Sequence, residues 1–306
     1  MDLEGELPSP GSPLLGEGNT PLVEEEYRGS RVFLKLEYLN PTGSFKDRGS
    51  SLSVYLARML GYRCVVEDSS GNTGISVAAY SSHMGLNPVI VVPRHASPSK
   101  KSLIRLLGAE VVEAGDRAEA AVTAEGRASE CFYVSHATSP VFIEGVSSLA
   151  LEIPEHLRKL PIIVPVSSGT LLLGLARGLE RLGEKPNLIA VQSSEAASLE
   201  GRVPVLGRIG GPSSRLADAL VYKDPPRIEE MGGVASGLVI VGDKAIIEAL
   251  RDLLGRGYIV EPSSAAAWAA YKHLKERGVV GDAIVLLTGS GLKYVGELGT
   301  IVGGQA

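Results

Sequence analysis

The chain has 306 residues, 44% of them hydrophobic and 21% charged, with 37 Gly and 18 Pro. That composition excludes wholesale disorder and any small scaffold that needs disulfide or metal staples. Thirty Lys and Arg against 35 Asp and Glu give a net charge of -5, the wrong sign for a broad nucleic-acid or anionic-lipid footprint. The opening MDLEGELPSPG is acidic rather than basic and apolar, and no apolar run reaches the roughly 18 residues of a membrane span. The expectation is a cytoplasmic protein whose partner is a small molecule, with no nucleic acid and no membrane.

In chain order, short apolar runs read as strands near Val32 to Leu36, Cys64 to Val66, Val89 to Val92, Glu110 to Val112, Phe132 to Val134, Ile162 to Val166, Leu188 to Gln192, Leu238 to Val241 and Ala283 to Leu287. Amphipathic stretches lie between most of them. The first carries Leu52, Tyr55, Leu56, Met59 and Leu60 at helical spacing and stops at Gly61. Ser97-Pro98 opens another helix, and Asp243 is the expected N-cap of a later one. This alternation predicts an α/β fold, and the number of strand-helix pairs predicts two open twisted sheets with helices on both faces. A smaller, mobile unit over residues 45–145 is expected to be inserted into a larger one built from residues 1–44 and 146–306. From Glu200 to Gly237, Gly, Pro and Ser cluster without periodicity, as in a lid or a long surface excursion. Cys64 and Cys131 show neither a CxxC pair nor a disulfide framework and read as buried small hydrophobes. Gln occurs only at Gln192 and Gln305, and the scarcity of thermolabile side chains suits life at high temperature.

Four polar, glycine-bearing turns follow strands. In NPTGSFKDRG, Asn40 to Gly49, Lys46 stands at the start of the amphipathic helix, where exposed N–H groups disfavour a positive charge. That suits a lysine that must be neutral to attack a carbonyl, while the plain alternative is a solvated lysine beside Asp47 and Arg48. In DSSGNTG, Asp68 to Gly74, hydroxyls and glycines at a strand-to-helix turn suit a carboxylate, although a simple turn and N-cap reads equally well. The spacing is not the GxGxxG of a dinucleotide site. In VPVSSGTLLLG, Ser167, Ser168, Gly169 and Thr170 can cradle a phosphate, but no P-loop lysine follows, so a nucleoside triphosphate is excluded. Finally LTGSGLK, Leu287 to Lys293, offers the neutral hydroxyls of Thr288 and Ser290 at a strand end.

Together with GEGNTPL at Gly16 to Leu22 and EPSSAAAWAA at Glu261 to Ala270, these segments resemble the fold type II pyridoxal-phosphate enzymes of the tryptophan synthase β-like family over nearly the whole chain. Within that family the wording is most similar to the threonine synthases. The resemblance implies pyridoxal 5'-phosphate as cofactor, carried by Lys46 through a Schiff base, with Asn72 on the ring hydroxyl. It implies that Ser69, Ser70, Gly71 and Thr73 in the smaller unit hold the substrate carboxylate. Ser167, Ser168, Gly169 and Thr170 in the larger unit would hold the cofactor phosphate, and Thr288 would face the ring nitrogen. A neutral hydroxyl there leaves the nitrogen largely unprotonated, which favours elimination and replacement over long-lived carbanions. Lys46 is then the base at Cα. The implied protein is a homodimeric amino-acid lyase doing β/γ-elimination and replacement, O-phosphohomoserine to threonine.

Departures bear on the substrate. VSSGTLLLG aligns better with the VGGGGLIAG style of serine/threonine dehydratases, and TGHG has become TGSG. Where threonine synthases read approximately NSLNPYRLEGQKT, His136 to Ser148 reads HATSPVFIEGVSS, with Phe142 at the arginine and Ser147 at the lysine. A phosphate dianion loses its charge-assisted donors there. Serine/threonine dehydratase and cysteine synthase are therefore alternatives, as is a non-catalytic cofactor-binding paralogue. His136 can contact substrate. His83, His95, His156 and His273 are scattered without helical pairing, and no metal is expected. Lys100, Lys101 and Arg105 read as a solvated helix face or as contacts to an anionic substrate.

Overall fold

The computed structural model describes residues 11–213 and 216–303. In chain order the elements are β1 (Leu22–Tyr27), β2 (Ser30–Lys35), α1 (Lys46–Met59), β3 (Cys64–Glu67), α2 (Asn72–His83), β4 (Asn87–Pro93), α3 (Pro98–Leu106), β5 (Glu110–Ala114), α4 (Arg117–Gly126), β6 (Phe132–Tyr133) and α5 (Pro140–Ser147). There follow β7 (Ile162–Pro165), α6 (Thr170–Arg181), β8 (Leu188–Ser193), β9 (Val205–Ile209), α7 (Ile228–Val234), β10 (Ala235–Val241), α8 (Asp243–Gly255), α9 (Pro262–Glu276), β11 (Ala283–Leu286) and α10 (Val295–Gly303). The α/β expectation holds, as two sheets with intervening helices.

The chain divides into two compact units. One comprises residues 11–18, Asn40–Thr42 and Lys46–Val146, and the other Asn19–Leu39, Gly43–Phe45 and 147–303. The first unit holds a four-stranded sheet in the order β5-β4-β3-β6, all parallel. Its strands read as unbroken apolar runs because crossover helices cover a parallel sheet: Val89, Ile90, Val91 and Val92 of β4 are all buried. The second unit holds seven strands in the order β1-β2-β11-β7-β8-β10-β9, parallel except for the β1/β2 hairpin. Helix α8 buries Ile246, Ala249, Leu250 and Leu253 at i, i+3, i+4, i+7 into its core. Asp243 is the first residue of that helix, with Gly242 as its cap. The aperiodic stretch after Glu200 contains β9, a 3-10 turn at Asp218–Leu220 and α7.

Cys64 and Cys131 require a correction: they are joined in a disulfide. Parallel pairing of β3 with β6 sets Val65 opposite Phe132 and so brings the two preceding cysteines side by side, with Cα atoms 4.7 Å apart, well within bridging range. Sequence spacing cannot reveal this, because the pairing depends on which strands become neighbours.

A second fastening of the small unit is electrostatic. Glu17 is buried, and its carboxylate accepts from Leu14 N and Leu15 N at 3.0 Å, from Tyr80 Oη at 3.0 Å, and from Ser51 Oγ. Burial alone would raise its pKa, but the donors from Ser51, Leu15 and Leu14 outweigh that and hold the carboxyl below its ordinary value of 4.5. Beside it, desolvation pushes the Tyr80 hydroxyl far up, so Tyr80 stays a donor.

Two outcomes follow. Cys64→Ser or Cys131→Ser opens a loop of 67 residues, and chemical denaturation under non-reducing conditions should show a loss of roughly 4 kcal/mol from loop entropy; no loss would mean that the staple constrains nothing in the unfolded chain. Glu17→Gln should cost roughly 1–3 kcal/mol at neutral pH. Because the folded-state pKa is depressed, the wild-type advantage is full above pH 4.5 and fades as pH falls through the lowered value. Denaturation series at pH 7 and pH 3 would reveal a gap that closes in acid; a gap independent of pH would contradict the assignment.

Candidate active site

The expected site residues fall into two sets, one in each unit. In the small unit Lys46 is the first residue of α1. The next residue fixes that turn: the fully buried carboxylate of Asp47 accepts from Thr42 N at 2.7 Å, from Thr42 Oγ1, and from Ser76 Oγ of α2 at 2.6 Å. The lysine head lies over an aromatic ring, with Nζ 5.6 Å from the Phe142 centroid. Two glycines allow this. A Cβ on Gly49 would stand 2.3 Å from Phe142 Cδ1, and one on Gly145 would stand 2.3 Å from Arg48 O, so α1 and α5 touch almost backbone to backbone.

Ser69, Ser70 and Gly71 form the turn between β3 and α2, and Asn72 and Thr73 open that helix. Ser69 Oγ accepts from Gly71 N at 3.3 Å, and no side chain caps α2. The first turn of α2 thus offers backbone donors beside small hydroxyls, the chemistry an anion needs. A Cβ on Gly74 would lie 1.8 Å from Ser69 O, so the loop folds back on the helix only with glycine at that position.

In the large unit Ser167 to Thr170 follow β7 and lead into α6. Gly169 is the N-cap in left-handed conformation, φ 93°, and a Cβ there would meet Met231 Sδ at 2.5 Å. Ser168 and Thr170 are buried hydroxyls beside this cap. A small anion fits such a nest of backbone donors and hydroxyls without any lysine. Thr288, also buried, lies just past β11, and its Oγ1 is 3.2 Å from Ser264 Oγ. Ser264 accepts from Gly289 N at 2.8 Å and faces Gly289 O at 3.1 Å. The Thr288 hydroxyl is a neutral group, and its partner is the equally neutral Ser264 hydroxyl.

Sequence reading missed several contributors: Asp47 and Ser76 as a tie, Gly49 and Gly145 as spacers, and Ser264 behind Thr288. It also missed Glu67, whose Oε1 is 2.5 Å from His136 Nδ1. Glu67, Asp68 and His136 bring potential metal-binding atoms within 4.8 Å of one another. Those atoms are engaged, however, since Tyr133 Oη also donates to Asp68 at 2.8 Å. Lys101 bonds Glu113 and Arg94 O within its own unit. Among the described residues no helix is long and apolar enough to cross a membrane.

The family model for pyridoxal-phosphate dependent enzymes matches residues 13–291. Threonine synthase of Synechocystis sp. is 31% identical over 300 residues, covering 90% of this chain and 77% of that protein. Threonine synthase of Methanocaldococcus jannaschii is 30% identical over 320 residues, covering 91% and 76%. Among solved structures, the O-acetylserine dependent cystathionine beta-synthase of Helicobacter pylori superposes with a TM-score of 0.78 at 22% identity, covering 94% of this chain and 97% of that one. A fungal L-serine ammonia-lyase from Rhizomucor miehei gives 0.77 at 24%, covering 91% and 96%. The family model matched over most of the chain and the identity to threonine synthases show it: the chain belongs to the fold type II pyridoxal-phosphate-dependent enzymes and is a lyase of that family.

Proposed function

We propose that the chain eliminates and replaces a group at the β or γ carbon of an amino acid as a threonine synthase does, converting O-phosphohomoserine to threonine. The observation that carries this reading is the 30–31% identity to threonine synthases across nine tenths of the chain. Lys46 would bind the cofactor covalently and Asn72 its ring hydroxyl. Ser167, Ser168, Gly169 and Thr170 would hold the phosphate, with Thr288 on the ring nitrogen. Bound there, pyridoxal phosphate supplies an electron sink for the bond broken at Cα. Ser69, Ser70, Gly71 and Thr73 hold the substrate carboxylate on backbone and hydroxyl donors, the Lys46 amine removes the Cα proton, and the neutral Thr288 hydroxyl restrains the sink.

A second reading, serine or threonine dehydratase or a sulfide-adding cysteine synthase, is favoured by one observation. Residues 136–148 contain no Lys or Arg, and the fully buried Phe142 stands among them, so a phosphate leaving group finds no cationic donor in that segment. A cytoplasmic homodimer completes the proposal on the strength of the family resemblance. A disulfide in such a compartment is characteristic of thermophiles, in keeping with the scarcity of Gln.

Borohydride reduction of the loaded protein, then peptide mapping, should find the pyridoxyl label on Lys46; a label elsewhere rejects the assignment. Phosphate released from O-phosphohomoserine supports the first reading. Oxo acid formed from serine or threonine supports the second, as does sulfide incorporation with O-acetylserine. A loaded protein whose absorbance no amino acid changes is the non-catalytic paralogue. Gly169→Ala, strained by about 1–2 kcal/mol in the left-handed region and crowded against Met231, should weaken cofactor binding about tenfold or more in a spectroscopic titration; unchanged binding would remove Gly169 from the phosphate nest.

A further inference from the structure

The small unit contains a second piece of machinery that the proposed roles leave unused. Glu67 ends β3 and is fully buried, and both its oxygens face one residue: Oε1 lies 2.5 Å from His136 Nδ1, and Oε2 accepts from His136 N at 3.4 Å. The imidazole retains 15% exposure, against none for the Glu67 side chain, and Nε2 has no hydrogen-bond partner among the described residues. The chain is bent to make this contact. Ser135 adopts φ 45°, in the left-handed region that ordinary residues avoid, within a turn closed by Thr138 N and Ser139 N on Ser135 O, each at 2.9 Å. The imidazole then meets the edge of Phe142, centroids 6.0 Å apart. That is the ring over which Lys46 Nζ lies, so His136 and the lysine are separated by one aromatic side chain.

We infer that His136, oriented by Glu67, is the acid that gives a proton through Nε2 to the leaving oxygen of the substrate, and that the substrate is a hydroxy amino acid of the serine or threonine type. This deepens the elimination reading in its second form. A carboxyl group behind Nδ1 fixes the ring and leaves Nε2 as the nitrogen that can carry the transferable proton. Full burial pushes the Glu67 carboxyl up while the imidazole opposes the rise; a protonated Glu67 donating to Nδ1 would equally leave the proton on Nε2. Hydroxide is a poor leaving group and needs that proton. A phosphate dianion does not, and residues 136–148 offer it no Lys or Arg. The balance is closed: the Lys46 amine takes the Cα proton, the electron pair of that bond forms the Cα–Cβ double bond, and the Cβ–O bond breaks with its pair on oxygen. The oxygen takes the Nε2 proton and departs as water. Imidazole regains a proton from the Lys46 ammonium through solvent.

The test compares leaving groups. His136→Asn keeps a donor toward Glu67 and deletes only the Nε2 function. In the loaded enzyme it should lower turnover of serine and threonine 100-fold or more, as expected for a lost general acid, while β-chloroalanine, whose chloride leaves unprotonated, changes less than about threefold. Equal losses on both substrate types would make His136 merely structural and overturn the inference. Turnover of β-chloroalanine by the wild type with neither hydroxy amino acid accepted would overturn it alone, whereas no turnover and no label on Lys46 would overturn the family chemistry beneath it. A readout without cofactor is the nitrogen NMR spectrum of the imidazole. A strongly deshielded proton in the contact between Glu67 and His136 Nδ1, absent in His136→Asn and altered in Glu67→Gln, is expected whichever group carries it, and its absence from the wild type would refute the tie.

Discussion

The small unit is organised around the buried carboxylate of Asp47. It draws in the Thr42 amide and hydroxyl on one side and the Ser76 hydroxyl on the other, so the turn that carries Lys46 is fastened to the helix that follows the serine-rich loop. A buried carboxylate is tolerable only when its lone pairs are filled, and removing a donor exposes the full desolvation penalty. The geometry at Lys46 therefore rests on a neighbour that does no chemistry of its own. Glu17 repeats the arrangement one turn away, gathering Ser51 of α1 and Tyr80 of α2. The α1/α2 contact is thus held by hydroxyls on carboxylates where apolar packing would be the default.

The large unit follows a different rule. Past the ends of β7 and β11 the buried Ser168, Thr170 and Thr288, with Ser264 of α9 behind Thr288, offer neutral hydroxyls, and the backbone supplies the positive end of the dipoles. A nest of this kind binds an anion without placing a full opposite charge beside it. The division suits a family whose cofactor brings both a phosphate and an electron sink, because the chain supplies position and donors and little net charge.

Much of this was legible in the sequence. The nine apolar runs correspond to β2 through β8, β10 and β11, and three of the glycine-bearing turns stand directly where strands end, while Asn40 to Gly49 follows β2 after a 3-10 turn at Glu37–Leu39, because period and turn chemistry are local properties. The two strands that escaped have physical reasons. β1 reads LVEEEY, an acidic edge without alternation, and β9 lies in a stretch rich in glycine and proline. The Cys64–Cys131 bond, the Asp47–Ser76 tie and the Glu67–His136 pair escaped for a different reason. Each joins residues 29 to 69 positions apart, and only the order of strands and helices in space brings them together. Phe142 was legible as a departure from the family wording, but its place over Lys46 depends on Gly49 and Gly145, whose spacing carries no signature.

β6 is only two residues long. So brief a ladder has few hydrogen bonds with which to resist sliding, and a slide of one residue turns every side chain to the opposite face. The cysteine bridge closes the strand pair at its entrance and the Glu67–His136 contact closes it at its exit. Sulfur chemistry at one end thereby governs alignment at the other, and an apparently inert crosslink acts as the ruler that measures out the imidazole.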